Sequence, residues 1–218
     1  MVWQYVLLIA VGYFIGSIPT GWIVGKIMRG IDVRDYGSGA IGASNVLRTL
    51  GVWPFLFVLV VDALKGYLPV IATWYIFEPH VGSGAAHGLQ VAAGVAAIIG
   101  HDWPLYIRWR GGKGVATSYG ALAGLLFPLS LGLVVLAILI VLTFRYMSLM
   151  SVTTIPVGSA ILLGLALTDQ VPQAYVVFGA LATLLVLFRH RENIQRLLAG
   201  KEPKIGQGGH QRAQGSPQ

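Results

Sequence analysis

The chain has 218 residues, 56% of them hydrophobic and only 11% charged, with a mean hydropathy of +0.73 and a formal net charge of +7. Water-soluble domains carry about 25% charged residues, so an ordinary soluble fold is excluded: so few charges could not cover its surface. No cysteine is present, which excludes disulfides, thiolate metal sites and cysteine nucleophiles.

In hydrocarbon every backbone polar group must be satisfied within its own segment, so long apolar runs become helices. Seven are predicted, giving an all-α integral membrane protein with seven transmembrane helices. The first runs from Val2 to Ile27. It is too long for the apolar region of a signal peptide and no basic segment precedes it, so it reads as a retained helix. The second runs from Val52 to Phe77, the third from Ala85 to Ile99 and the fourth from Gly114 to Leu126. Pro128 separates the fourth from the fifth, Leu129 to Phe144. The sixth covers Leu149 to Leu167 and the seventh Val171 to Phe188. The chain is expected to form one domain over residues 1–206, followed by a disordered polar tail over 207–218.

Positive charge orients these helices. Lys26, Arg29, Arg34 and Arg48 stand between the first and second, and Arg108, Arg110 and Lys113 between the third and fourth. Arg145 stands between the fifth and sixth, and the remaining cations follow the seventh. Only Lys65 lies inside a span; the alternate junctions hold no Lys or Arg. By the positive-inside rule the N-terminus is expected outside and the C-terminus in the cytoplasm.

Three stretches on the basic side carry polar chemistry. In YGSGAIGASNVLRTLG, Tyr36 to Gly51, glycines such as Gly39 allow backbone amides to approach a ligand and form an anion-binding nest. Ser38, Ser44 and Asn45 add neutral hydrogen-bonding groups, and Arg48 adds a planar fork suited to phosphate. GHDWPLYIRWRGGKGVATSYG, Gly100 to Gly120, resembles a P-loop only superficially. That motif needs glycine where Ile107 stands and Ser or Thr where Gly114 stands. What remains is a glycine-rich entry, with Gly112 and Gly114, into the fourth helix, whose unpaired first amides favour an anion beside Lys113. His101 and Asp102 are expected to make a turn hydrogen bond at the end of the third helix. In LFRHRENIQRLLAGKEP, Leu187 to Pro203, His190 and Asn193 share one helical face. Arg189, Arg191 and Arg196 read as headgroup or orientation residues. Asp62 and Lys65, three apart in the second helix, are expected to form a buried pair that orders the bundle.

No Ser-His-Asp order, paired carboxylates or two-histidine metal site is evident in the sequence. The set favours phosphate recognition over hydrolysis, at the mouth of a helical bundle. Its substrate would have one polar and one apolar end, which points to lipid synthesis.

GSGAIGASNVLR, GHDWPLYIRWRGGKGVATSYG and HRENIQRLLAGKEPKIG, in this order, resemble the three motifs of the PlsY family, bacterial membrane acyl-phosphate:glycerol-3-phosphate acyltransferases. The resemblance runs from Gly12 to about Gly206, with Ala40 and Ser44 where the family often has Asn and Thr. It implies transfer of an acyl group from acyl phosphate to the 1-hydroxyl of glycerol 3-phosphate, giving lysophosphatidic acid and inorganic phosphate. This is the first step of phospholipid synthesis in many bacteria. The implied location is the bacterial plasma (inner) membrane, with the active site facing the cytoplasm. No metal, cofactor, coenzyme A or nucleic acid is implied, and the implied functional partner is a soluble phosphate acyltransferase supplying the donor. By motif position, Ser38, Arg48 and Lys113 would hold the phosphates, with Gly39, Ser44, Gly112 and Gly114 lining the substrate site. His190, Asn193 and Asn45 would be catalytic, orienting the acceptor or the acyl carbonyl.

An acyl phosphate is already activated, so alignment and charge stabilisation are what the protein must supply. With no evident base in the sequence, the donor phosphate is expected to take the proton, with His190 as general base the competing version. The rival readings are a transporter or channel for a phosphate ester, an acyl-CoA or acyl-carrier-protein acyltransferase, and a scaffold. A transport path needs polar groups that the fifth to seventh helices lack. The second would use a His-x4-Asp pair, but Leu105 and Gln195 stand at the Asp positions after His101 and His190. A scaffold would not need so many glycines around cations.

Overall fold

The computed structural model describes residues 2–207; the expected polar tail, 207–218, lies from residue 208 onward outside the described residues. Ten α-helices run in order: α1 Val2–Gly16, α2 Thr20–Arg29, α3 Ala43–Leu50, α4 Val52–Val81, α5 Ser83–Asp102, α6 Val115–Leu125, α7 Phe127–Phe144, α8 Met147–Leu167, α9 Ala174–Arg189 and α10 Arg191–Leu198. Helix propensity alone would not hold such segments together, because hydrocarbon offers apolar side chains no solvent to escape from. Close backbone packing takes over that role. Gly12 and Gly16 let α1 lie against α5: a Cβ at Gly16 would stand 2.1 Å from the Ala97 carbonyl oxygen. Gly66 and Gly120 do the same between α4 and α6, where a Cβ at Gly120 would stand 1.8 Å from the Ala63 oxygen. Meanwhile α7 turns Leu131, Val135, Ile138, Leu139 and Leu142 outward, a face suited to lipid.

Each of the seven expected apolar runs is largely helical, the first broken at residues 17–19 between α1 and α2, but their lengths differ from the expectation. Five spans are long and apolar enough to cross a membrane: α1 with α2, α4, α5 (through Ile107), α7 and α8. A sixth arises if α9 and α10, bent by 65°, count as one. The expected fourth span is the 11-residue α6. At 1.5 Å per residue it covers about 16 Å, roughly half of a bilayer's apolar thickness. Its bounds match the expected Gly114 to Leu126 to within one residue at each end, and Leu126, with φ −149°, breaks the helix before Pro128. Seven full-length spans are therefore not what the helix lengths give.

Lys65 performs the ordering role expected of it. Its Nζ lies 2.8 Å from Asp62 Oδ1 and donates to the Ile18 carbonyl at 3.0 Å, tying α4 to the break between α1 and α2. Both side chains are almost fully buried.

Candidate active site

The first glycine-rich stretch folds around one amide. Asn45, on α3, is fully buried; its Oδ1 accepts from Ser38 N at 2.8 Å, and its Nδ2 donates to the carbonyls of Val33, Tyr36 and Ala40 at 2.8, 3.2 and 2.8 Å. Gly37 and Gly39 take positive φ in the turn this creates. The amide of Asn45, expected to be catalytic, is engaged by loop backbone and holds Ser38 and the loop in place. Gly39 serves that turn and does not line either cavity described below.

The second stretch is clamped from two sides. Gly112 N donates to the His101 carbonyl at 3.0 Å, so the expected turn bond is made by backbone, not by the side chains of His101 or Asp102. Arg189, at the end of α9, donates through Nε and Nη2 to the Gly112 carbonyl at 3.0 and 2.7 Å and stacks over Trp103. Its guanidinium is thus spent on the loop, not on a lipid headgroup. Gly114 takes φ +67°, and a Cβ there would stand 2.9 Å from Ile98 Cγ2 and 3.1 Å from Asp102 Oδ1, so glycine lets the chain deliver Lys113 to the start of α6.

The third stretch begins at the bend between α9 and α10, where His190 Nδ1 lies 2.8 Å from the Val186 carbonyl. One turn on, Asn193 accepts a short hydrogen bond from Lys113 Nζ and donates to Glu202 Oε1 at 2.7 Å. Glu202 also accepts from Arg196 Nε at 2.8 Å, so Arg196 too is held inward; Arg191, more than half exposed, is not. Arg48 donates to the Pro203 carbonyl at 3.4 Å, which closes the ring from the first stretch to the third.

Six expected residues line one small cavity of about 30 Å³: Ser38, Ser44, Arg48, Lys113, His190 and Asn193. Met147, Ser148, Ser151 and Glu202 complete its wall. Burial lowers Lys113 to about 8, with Arg196 adding repulsion against the opposing pull of Glu202. Burial also lowers Arg48, though an arginine remains charged. For Glu202 burial acts upward, yet the Asn193 and Arg196 donors outweigh it and hold the carboxyl below its ordinary value. The result is a concave cluster of cations and amide donors with one internal counter-charge, a setting for phosphate.

A second cavity of about 100 Å³ adjoins it, sharing Ser44, Lys113 and His190. Its other walls are largely apolar, with Phe55 and Leu59 from α4, Tyr119 from α6 and Met150 from α8, and Gly114 also lines it. Gly112 lines neither cavity; its missing side chain makes room for the His101 ring. Among the described residues no three metal-ligating side chains come together. Sequence reasoning missed Glu202, the clamping role of Arg189 and the contribution of α8. Glu202 had a signal, as an acid within a basic stretch; Met147, Ser148 and Ser151 had none, because α8 reads as an ordinary span.

The chain that builds this site has known relatives. The family model described as glycerol-3-phosphate acyltransferase matches residues 6–200. The chain belongs to this family. A glycerol-3-phosphate acyltransferase of Parasynechococcus marenigrum is 44% identical over 201 residues, covering 92% of this chain and 90% of that one. One from Halalkalibacterium halodurans is 42% identical, with 92% and 95% covered. The crystal structure of PlsY, an integral membrane glycerol 3-phosphate acyltransferase, in its glycerol 3-phosphate form superposes with a TM-score of 0.82 at 32% identity. It covers 93% of this chain and 96% of that one. The lysophosphatidic acid form of the same enzyme gives 0.79 at 32% identity, with 92% and 94% covered. The resemblance to PlsY carried by the three motifs thus extends through the fold, and this acyltransferase is an integral membrane protein of lipid biosynthesis.

Proposed function

We propose that this acyltransferase moves a fatty acyl group from acyl phosphate to the 1-hydroxyl of glycerol 3-phosphate, giving lysophosphatidic acid and inorganic phosphate. The observation that carries this is the pair of adjoining cavities: one cationic, one apolar, with Lys113 and His190 in both walls. Arg48, Lys113 and Ser38 hold phosphate in the cationic part, and the apolar part takes the start of the acyl chain. Asn193, held between Lys113 and Glu202, presents a fixed amide, and His190 is oriented by Val186. Asn45, Gly39, Gly112 and Gly114 act through the loops they shape.

The hydroxyl oxygen attacks the acyl carbonyl carbon, the bond from that carbon to the phosphate oxygen breaks, and the proton leaves on the phosphate. Positioning and the cations supply the catalysis. We place the site at the cytoplasmic face of the bacterial inner membrane, with the N-terminus outside and the C-terminus inside, on the distribution of Lys and Arg. A soluble phosphate acyltransferase would supply the donor.

The donor is tested by offering purified protein acyl phosphate or acyl-CoA with glycerol 3-phosphate; turnover of acyl-CoA alone would overturn the reading. His190→Ala tests the proton's route. The substrate-assisted step predicts reduced but measurable kcat without loss of its pH profile. Complete loss with glycerol 3-phosphate still bound would assign His190 as the base.

A further inference from the structure

His101 is a buried imidazole that the reaction as drawn does not use. It lies near the end of α5, only 3% exposed, yet it lines the same cavity as Lys113 and His190. Its Nδ1 stands 3.8 Å from Asp62 Oδ1 and has no hydrogen-bond partner among the described residues. Its Nε2 edge occupies space that Gly112 leaves open, where a Cβ would come within 1.9 Å of Nε2, and it lies beside Gly42, where a Cβ would stand 4.0 Å away in ordinary contact. The two glycine-rich stretches therefore meet across this ring.

The proton on an imidazole is placed by what faces the other nitrogen. Asp62, paired with Lys65, faces Nδ1 and favours the tautomer with its proton there. Nε2 is then left as a hydrogen-bond acceptor. The same holds for His190, whose Nδ1 faces the Val186 carbonyl. Two rings with acceptor nitrogens thus line a cavity that also holds the donor Lys113, the carboxylate of Asp62, already paired with Lys65, and the hydroxyls of Ser44 and Ser151. Cations serve a phosphate; an acceptor serves a hydroxyl. Glycerol 3-phosphate carries two hydroxyls, of which the reaction consumes one.

We propose that His101, with Asp62 facing its Nδ1, accepts a hydrogen bond from the C2 hydroxyl of glycerol 3-phosphate and so selects that acceptor over other phosphate monoesters. The proposal rests on the acyltransferase reading and names a specificity residue for it. The test compares kcat/KM for glycerol 3-phosphate and for 3-hydroxypropyl phosphate, which lacks only the C2 hydroxyl. Wild-type protein is expected to prefer glycerol 3-phosphate by about 100-fold, the scale of leaving a buried partner unpaired. In His101→Phe, glycerol 3-phosphate should fall by the same factor while the analogue keeps its wild-type value, so that the two become equal. Equal losses on both substrates would assign the ring a purely structural role and overturn the proposal. So would a wild-type protein indifferent to the C2 hydroxyl. Asp62→Asn supplies a second variant should His101→Phe fail to fold: the preference should narrow, and an unchanged ratio would again overturn it. A wild-type protein that acylates neither compound would refute the acceptor reading itself, a different outcome from indifference.

Discussion

Lys113 illustrates how a single residue is shaped by its surroundings. Burial and the nearby Arg196 bring it to about 8, so the free site loses this cation as pH rises through that value. Phosphate affinity needs the charge. KM for glycerol 3-phosphate should therefore climb towards tenfold per pH unit above about 8 and stay flat below it, down to where the phosphate itself titrates. Lys113→Arg should remove that upper limb, since guanidinium stays charged; steady-state kinetics between pH 6.5 and 9.5 read both. Asn45 makes the opposite kind of contribution. Asn45→Ala would strip partners from Ser38 N and from three carbonyls, which should cost about 3 kcal/mol. At roughly 2–4 °C per kcal/mol for a chain of this size, the thermal midpoint should fall by about 6–12 °C. A variant with an unchanged midpoint and a collapsed kcat would assign Asn45 the catalytic role instead.

At the scale of elements, the site depends on helix ends. The bend after α9 supplies His190 and Asn193, the start of α6 follows Lys113, and α3 carries Ser44 and Arg48. These ends meet because α4 and α6 pack backbone to backbone at Gly66 and Gly120. Gly120→Val would force its Cβ into the Ala63 carbonyl and should destabilise the purified protein by about 3 kcal/mol. It should also lower activity without changing pH dependence, as thermal unfolding and a pH profile would show; a neutral outcome would mean the two helices are free to part. Much of this level was legible in the sequence. Apolar runs marked the spans, and glycine beside cations marked the three polar stretches. What stayed illegible follows from geometry. An apolar run does not say that the chain bends by 65° between α9 and α10. Nor does it show that Arg189 reaches back to Gly112, since both partners look like surface residues until the chain bends. His101 read as a turn residue because its Asp62 neighbour is 39 positions away in the chain.

For the whole molecule, the charge map and the site point to one face. Every cation of the cationic cavity comes from a segment that we propose to face the cytoplasm, and α4 would carry the polar pair Asp62 and Lys65 inward from that side. The chain has no cysteine, so single cysteines can be introduced without background. Cysteine at Lys201 should react with an impermeant reagent only from the cytoplasmic side, and cysteine at Gly84 only from the outside; the reverse pattern would invert the topology. The central claim is that three separated stretches form one site for acyl transfer between phosphate-bearing substrates. It is tested most directly by measuring lysophosphatidic acid and inorganic phosphate released from acyl phosphate and glycerol 3-phosphate, for the purified wild-type protein and for Lys113→Met with an unchanged thermal midpoint. The account predicts equal amounts of the two products from wild type and a fall of about 100-fold or more in kcat/KM for the variant. Equal rates for the two proteins would contradict it.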